Sequence, residues 1–441
     1  MSSTSDQEPN DYVFICGKNW KLSLAELTSF LRTREAGFQI TGFSKSFFTI
    51  INNRVLDQST IDDLGGIIKI GTIGSRIPLE PLKEAFLRHG KLARENIETK
   101  LSTDCPVDEI FKMPENRIVF GVSIYSENQC FSRFSWEIQR FLGSHFKKEL
   151  ASEDIRSKFM GLPKTRKQPQ LTHVEVLKKK LIEDSAEILF CIDEQQAYLA
   201  KTIAVHNPFE FQKRDIDRPI QRKIFSIPPR LAKIMVNLSG CQSGKTFLDP
   251  FCGVGTILQE AMLTRAEVIG LDNNPWCVKA AEKNLEWIRD QYGLKTAKYR
   301  VLLGNSRKLT NHVDVENIDC IATEPDLGPA LRHLPTEHHA EEIVNRLRPM
   351  YYDFLEESFK VLKSKGKLVL VTPLVKTRSE RPAALKIEER AEAIGFQIVR
   401  PFDKADFVEH NKKIEELSET SSFVDAEERH KIGREIHIFR K

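Results

Sequence analysis

The segment FLDPFCGVGTILQEA, residues 247–261, contains the features that decide the fold of this chain. An apolar run ends at Asp249, a short turn with Gly253 and Gly255 follows, and a helix is predicted to begin at about 254–256. Glycines at such a turn let the backbone approach a ligand closely, and the start of the helix supplies free N–H groups. The segment lacks the third glycine of a dinucleotide fingerprint and the Lys-Ser/Thr of a phosphate-binding loop, so both of those sites are disfavoured.

The segments after this turn alternate between predicted strands and helices. The predicted strands are TFLDP, EVIGLD, KYRVLLG, IDCIAT, KLVLVTP, FQIVR and REIHIFRK. Nearly continuous apolar strands separated by helices are typical of a parallel, doubly wound α/β sheet, which binds ligands at the carboxyl ends of its strands where the strand order reverses. Residues 224–441 are therefore predicted to form one α/β domain, with 403–433 as a mobile excursion before the last strand.

Polar residues follow successive strands of this predicted sheet. Asp272 ends the second strand, where a carboxylate can accept hydrogen bonds from both hydroxyls of a ribose. Asn305 follows the third strand, where an amide can hydrogen-bond an adenine amine. Together with Asp249 and Glu324, which end the first and follow the fourth strand, these residues are expected to line one crevice.

The fourth predicted strand runs directly into Glu324-Pro325-Asp326-Leu327, within IDCIATEPDLGPALRHLP at 318–335. One interpretation is a rigid structural turn. The other is a pocket in which a carboxylate accepts the N–H bonds of an exocyclic amine, localising a lone pair that is otherwise delocalised into a base. Proline stiffness would hold that acceptor in position.

The N-terminal half is predicted to be α+β. Short β-like runs with one helical segment indicate a small unit over 1–80, and strands and helices continue over 81–206. The stretch NPFEFQKRDIDRPIQRK at 207–223 is polar and charged and is interpreted as a linker.

Local basic clusters are candidate contacts for nucleic acid. Residues 156–180 contain eight Lys or Arg against one acid, and a second cluster lies at 212–223. Such a patch contacts phosphates with little sequence preference, although a charged run is usually a solvated surface. The residues predicted to bind RNA are Lys164, Arg166, Lys167, Lys213 and Arg214.

The bulk composition of the 441 residues is that of a soluble globular protein, with 40% hydrophobic and 29% charged residues and a net charge of +4. The eight cysteines contain no C-x-x-C pair, so neither a metal site nor a disulfide framework is predicted. The N-terminus shows no secretory signal, and no apolar run is long enough to span a membrane, so a cytoplasmic location is expected.

The segment DPFCGVGTILQEA resembles class I S-adenosylmethionine (SAM)-dependent methyltransferases. Its sequence most resembles RNA guanine-N2 methyltransferases that carry an N-terminal THUMP domain, among them archaeal and eukaryotic enzymes acting on tRNA position 10. LAKTIAVHNPFEFQKRDIDRP, IPPRLAKIMVNLSG and LGGIIKIGT extend the resemblance over most of the chain. It implies a class I (Rossmann-like) methyltransferase domain at 224–441 and a THUMP-like RNA-binding domain at 81–206.

The resemblance also implies residue roles. SAM would be the cofactor and tRNA the partner, with the methyl group transferred to the N2 amine of a guanosine. The implied cofactor-binding residues are Asp249, Phe251, Gly253, Gly255, Thr256, Asp272, Asn273, Asn305 and Ser306. The implied catalytic residues are Glu324, Pro325, Asp326 and Leu327, where the family has an Asp/Asn-Pro-Pro-aromatic turn.

Two alternatives remain open on the sequence. The same strand ends would serve methyl transfer to a DNA adenine or a protein glutamine amide. The replacement of the aromatic residue by Leu327 is also compatible with a non-catalytic RNA-binding protein on an altered methyltransferase scaffold. The sequence identifies neither a target position nor an accessory subunit.

Overall fold

The computed structural model describes residues 10–111, 117–162, 165–183, 186–222 and 226–441. Strands of the N-terminal half are β1 Asn10–Cys16, β2 Phe38–Phe43, β3 Phe47–Asn52, β4 Ile67–Pro78, β5 Ile118–Ser126, β6 Ser157–Met160, β7 Ala186–Ile192 and β8 Gln196–Val205. Its helices are α1 Trp20–Thr33, α2 Gln58–Asp62, α3 Leu79–Leu82, α4 Lys91–Asp104, α5 Val107–Ile110, α6 Gln129–Ser132, α7 Ser135–Ser152 and α8 His173–Lys178, with a π-helical turn at Lys83–Leu87.

These strands form one mixed sheet in the order β2-β3-β1-β4-β8-β7-β5-β6. Strands β4 and β8 pair antiparallel from Lys69 opposite Val205 to Pro78 opposite Gln196. The units predicted at 1–80 and 81–206 therefore share a sheet, and the boundary between them stays a prediction.

The C-terminal half begins with helix α9 Pro208–Ile216, which lies inside the stretch interpreted as a linker. The other helices are α10 Pro229–Leu238, α11 Thr256–Leu263, α12 Pro275–Gln291, α13 Glu337–Val361, α14 Ile387–Ile394 and α15 Lys412–Ser418, with 3₁₀ turns at Ser306–Asn311 and Lys404–Asp406. The strands are β9 Thr246–Asp249, β10 Glu267–Asp272, β11 Tyr299–Leu303, β12 Ile318–Thr323, β13 Leu362–Val375, β14 Ala383–Ala384, β15 Gln397–Ile398, β16 Ser422–Asp425 and β17 Ile432–Arg440.

The second sheet confirms the predicted α/β fold class. Its order is β11-β10-β9-β12-β13-β17-β15, and the pairs from β11 to β13 are parallel. Strand β17 is antiparallel to β13. The strand order reverses between β9 and β12, so the loops that follow these two strands flank the crevice in which such sheets bind ligands.

The excursion predicted at 403–433 contains helix α15 and strand β16. Phe407, Ile414, Leu417 and Phe423 are buried against the core that both halves share, which explains why this stretch forms regular elements. Their wide spacing among charged residues conceals this apolar face in the sequence.

A buried polar contact joins the two halves. The carboxylate of Glu26 in α1 accepts hydrogen bonds from the backbone N–H groups of Gly65 and Gly66 and from Nδ2 of Asn237 in α10, each at 2.7 Å. Arg230 Nε donates to the Gly65 carbonyl oxygen at 2.8 Å. A side chain at Gly65 would place a Cβ 2.3 Å from the Arg230 carbonyl oxygen, so glycine is required for this close approach.

Among the described residues, no helix is both long and apolar enough to cross a bilayer.

Candidate active site

A cavity of about 610 Å³ lies at the carboxyl ends of β9, β10 and β12, where the strand order reverses. The sequence-predicted residues that line it are Asp249, Phe251, Gly253, Thr256, Asp272, Asn273, Glu324, Pro325, Asp326 and Leu327. Parallel strands bring the loops that follow them to one edge of the sheet, so residues distant in the chain share this space.

The glycine turn after β9 has a left-handed backbone. Gly253 has a φ of 51° and Gly255 a φ of 87°, values that side chains other than glycine rarely adopt. A Cβ at Gly255 would also lie 3.3 Å from Cβ of Ala281 in α12. Helix α11 begins at the next residue, Thr256, so its free N–H groups lie beside the turn.

Asp249 is 1% exposed, and its carboxylate lies between the ends of β9 and β12. Thr323 donates a hydrogen bond from Oγ1 to Asp249 Oδ1 at 2.6 Å, and the Phe251 N–H donates to the same oxygen at 3.2 Å. Burial raises the pKa of Asp249 to about 7 despite these hydrogen bonds, and the charges of Asp272 and Glu324 raise it further. A cation bound in the cavity would favour the ionised form.

Asp272 bridges two backbone N–H groups at the rim of the cavity. Its Oδ2 accepts from Gly253 and its Oδ1 from Asn274, both at 2.9 Å. The carboxylate thus holds the glycine turn against the end of β10. Each oxygen keeps a further acceptor position for a ligand hydroxyl.

Asn305 and Ser306 follow β11 but are not among the residues that line this cavity. Asn305 is exposed, and its Oδ1 accepts the Arg307 N–H at 3.0 Å, whereas Ser306 is 5% exposed. Their predicted place beside a cofactor adenine stays a prediction.

The turn after β12 is held from two sides. Glu324 forms a two-point ion pair with Arg434 of β17, and Tyr351 of α13 donates a hydrogen bond to the Asp326 carbonyl oxygen at 3.1 Å. Burial opposes the charge of Arg434, but attraction and hydrogen bonding to Glu324 outweigh it and raise the pKa of Arg434. The Asp326 side chain is exposed and accepts the Gly328 N–H at 3.0 Å.

Arg434 and Arg346 are lining residues that the sequence analysis did not identify. Arg434 lies 110 residues after Glu324, and β17 also contains Glu435, His437 and Arg440, so no local signal in the sequence singles out Arg434. Arg346 lies on α13 and is exposed. Arg222, from the basic linker cluster, also lines the cavity and is exposed.

The residues predicted to bind RNA have different surroundings. Lys164 lies outside the described residues. Lys167 is exposed, and the Arg166 guanidinium is engaged with Glu175 at 2.5 Å. Lys213 is half-buried, with Nζ 5.5 Å from the centroid of the Tyr292 ring.

Arg214 requires a correction. Its side chain is 5% exposed, and Nε donates to Glu260 of α11 at 2.6 Å. A guanidinium enclosed in this way is not available to a phosphate, so Arg214 is removed from the RNA-binding set. The linker instead holds helix α11, because Arg218 Nη1 also donates to Thr256 Oγ1 at 2.6 Å.

Comparison with known proteins identifies the type of domain. The model of the family UPF0020, described as an RMKL-like methyltransferase domain, matches residues 221–395. A tRNA (guanine(10)-N2)-dimethyltransferase of Methanothermobacter thermautotrophicus is 32% identical over 178 residues, which are 40% of this chain and 47% of that protein. The enzyme of the same name from Pyrococcus abyssi is 33% identical over 194 residues, 44% of this chain and 50% of that protein. The chain thus spans about half the length of these relatives.

The fold is also similar to that of a solved structure. TrmN from Thermus thermophilus superimposes with a TM-score of 0.51 over 98% of this chain and 99% of its own, at 14% sequence identity. At this identity the similarity concerns the fold alone.

Proposed function

We propose that this chain is a SAM-dependent RNA methyltransferase that modifies the exocyclic N2 amine of a guanosine in tRNA. The match of residues 221–395 to an RMKL-like methyltransferase domain supports the reaction type. The observation that carries the proposal is the convergence of Asp249, the glycine turn, Asp272 and Glu324 on one cavity. The tRNA (guanine(10)-N2)-dimethyltransferases that match this domain support the choice of tRNA and of guanine N2.

The residues around the glycine turn fit SAM. A cavity of about 610 Å³ lies within the range of about 300–1,000 Å³ that is usual for small-molecule sites, and the left-handed Gly253 lines it without a side chain. Asp272 would hold the ribose hydroxyls, and Asp249 with the turn would surround the methionine end. Asn305 would bind the adenine. When bound, SAM supplies a methyl group on a sulfonium, and the acidic side chains of the cavity suit its positive charge.

Glu324 would accept the N–H bonds of the guanine amine. The amine is a weak nucleophile because its lone pair is delocalised. An adjacent carboxylate localises that pair and stabilises the positive charge that develops on the nitrogen as it bonds to the methyl group. Pro325 restricts the backbone that carries Glu324. Leu327, half-buried at the same turn, would contact the face of the base, and Asp326 would assist from the rim.

Basic residues in and around the cavity would hold the RNA backbone. Lys167 and Lys213 remain from the predicted set, and Arg222 and Arg346 lie at the cavity itself. Phosphate contacts of this kind position an RNA without reading its sequence. The cytoplasm, where tRNA is abundant and thiols stay reduced, is the proposed location, in keeping with eight cysteines that are all free.

The decisive experiment is mass spectrometry of nucleosides from unmodified tRNA incubated with the protein and isotope-labelled SAM. We expect labelled N2-methylguanosine, and its loss with Asp272→Ala. Labelled protein glutamine or DNA adenine in parallel reactions, with unlabelled tRNA, would favour the alternative acceptor. Binding of tRNA without any labelled product would favour the non-catalytic scaffold.

A further inference from the structure

Strand β17 brings Arg434 to the cavity. In this strand Arg434 lies opposite Pro373 of β13 and Asp425 of β16. The nearby Ile432 packs beside the turn that carries Glu324, since a Cβ at Gly328 would lie 3.6 Å from Ile432 Cδ1. The strand and the turn therefore hold each other in place.

The contact between Arg434 and Glu324 is bidentate. Nε of the guanidinium donates to Oε2 of the carboxylate, and Nη2 donates to Oε1 at 3.3 Å. The Arg434 and Glu324 side chains are only 15% and 10% exposed. A planar two-donor contact fixes the plane of a carboxylate as well as compensating its charge, which a single ammonium does not do.

The Glu324 carboxylate needs a cation beside it. Asp249 and Asp272 already line it, and the negative charge of Glu324 contributes to the raised pKa of Asp249. A mostly buried carboxylate beside two others is costly to keep ionised unless a cation accompanies it. The ion pair with Arg434 meets that requirement from within the chain.

The bidentate contact with Arg434 leaves hydrogen-bond acceptor positions free on the Glu324 carboxylate. An ionised carboxylate has about four lone-pair positions, of which Arg434 occupies two. The remaining positions are available to the N–H bonds of an incoming amine. We propose that Arg434 is a positioning residue, which pairs with the Glu324 carboxylate and keeps it turned toward the acceptor amine; this inference rests on the proposed function.

A double-substitution cycle on the full chain tests this role. The variants R434M, R434K, E324Q and E324Q/R434M are compared with the unaltered protein for kcat and KM of tRNA methylation and for the Kd of SAM by calorimetry. We expect R434M to lower kcat about 100-fold with little change in KM, because a misplaced reacting group costs about that much. The Kd of SAM should stay within about twofold of the unaltered value, because Asp272 and the glycine turn are untouched. R434K keeps the positive charge but not the bidentate contact, and its kcat should be about tenfold higher than that of R434M.

The effect of R434M on the rate, measured again in a protein that already carries E324Q, distinguishes a positioning role of Arg434 from a general stabilising role. A glutamine amide needs no compensating cation, so R434M should cost less than about threefold in that background, whereas a merely structural role would cost the same in both. R440M is the matched control, because Arg440 lies on the same strand, is exposed and contacts Gln397 away from the cavity. If R434M does not fold, the cycle is run with R434K, for which the same dependence on Glu324 is expected.

Two outcomes would overturn the proposal in distinguishable ways. An active protein whose R434M variant keeps its rate, or loses equal rate in both backgrounds, would refute the positioning role alone. A protein that binds SAM but methylates no tRNA would refute the proposed function and the positioning role with it.

Discussion

The surroundings of Asp249 strongly alter its acid–base chemistry. Its pKa in the folded chain is about 7, against an ordinary value of 3.8, and burial is the main cause. Between these two values the folded state binds more protons than the unfolded chain, so this contribution to stability is present at low pH and is lost as the pH rises toward and through 7.

Asp249→Asn should remove this dependence on pH. The free energy of unfolding of the variant, minus that of the unaltered protein, is expected to increase between about pH 5 and pH 8, by at most about 1.4 kcal/mol for each pH unit below 7. Urea denaturation at several pH values measures this difference. A difference that stays constant with pH would show that Asp249 does not titrate in this range.

Asp272 is the residue on which SAM binding should depend most directly. Asp272→Ala removes two potential acceptors for ribose hydroxyls and releases the N–H groups of Gly253 and Asn274. The loss of two hydrogen bonds to a charged group, about 3 kcal/mol together, predicts a Kd about 100-fold higher in calorimetry. Asp290→Ala, an exposed acid on α12, is the control and should leave the Kd unchanged.

At the scale of elements, the turn between β9 and α11 combines two constraints on Gly255, a left-handed φ and the close approach of Ala281. Gly255→Ala should lower the free energy of unfolding by about 1–3 kcal/mol and weaken SAM binding as well.

Gly293→Ala is the matched control for this turn. Gly293 also has a left-handed φ, of 64°, but a Cβ there would meet nothing within 4 Å. It should lose stability through the backbone alone and keep the Kd of SAM. Equal weakening of SAM binding by both substitutions would contradict a specific role for the turn.

The sequence was sufficient to predict the elements whose signal is local. The alternation of apolar strands with helices around 246–323, and the glycines after Asp249, are patterns of neighbouring residues, and the structure has the corresponding strands and turn. The pairing of Glu324 with Arg434, and of Arg214 with Glu260, joins residues 110 and 46 positions apart. Such partners depend on how strands and helices are stacked, so a basic residue inside a buried ion pair resembles a solvated one in the sequence.

At the scale of the whole molecule, the hydrogen bonds of Glu26 join the two halves in addition to the apolar core that they share. Glu26→Ala would leave the N–H groups of Gly65, Gly66 and Asn237 without their shared acceptor. Buried donors without partners are costly, and we expect a loss of about 3 kcal/mol in the free energy of unfolding.

Chemical denaturation followed by fluorescence measures this loss, and separation into two transitions would indicate that the halves have uncoupled. Glu416→Ala on α15 is the control. Its carboxylate is exposed and lies 3.9 Å from Lys412 Nζ, so the substitution should change the free energy of unfolding by less than about 0.5 kcal/mol. Equal effects of the two substitutions would show that Glu26 does not join the halves.

The antiparallel strand β17 also has a consequence for biosynthesis. A ribosome that has just translated Glu324 must add 110 more residues to reach Arg434. Until then a nascent chain can contain the glycine turn and all five parallel strands, β9 to β13, but lacks the cation that pairs with Glu324. Completion of the cleft therefore requires synthesis through β17, and a message cut short before β17 would yield a product without this ion pair.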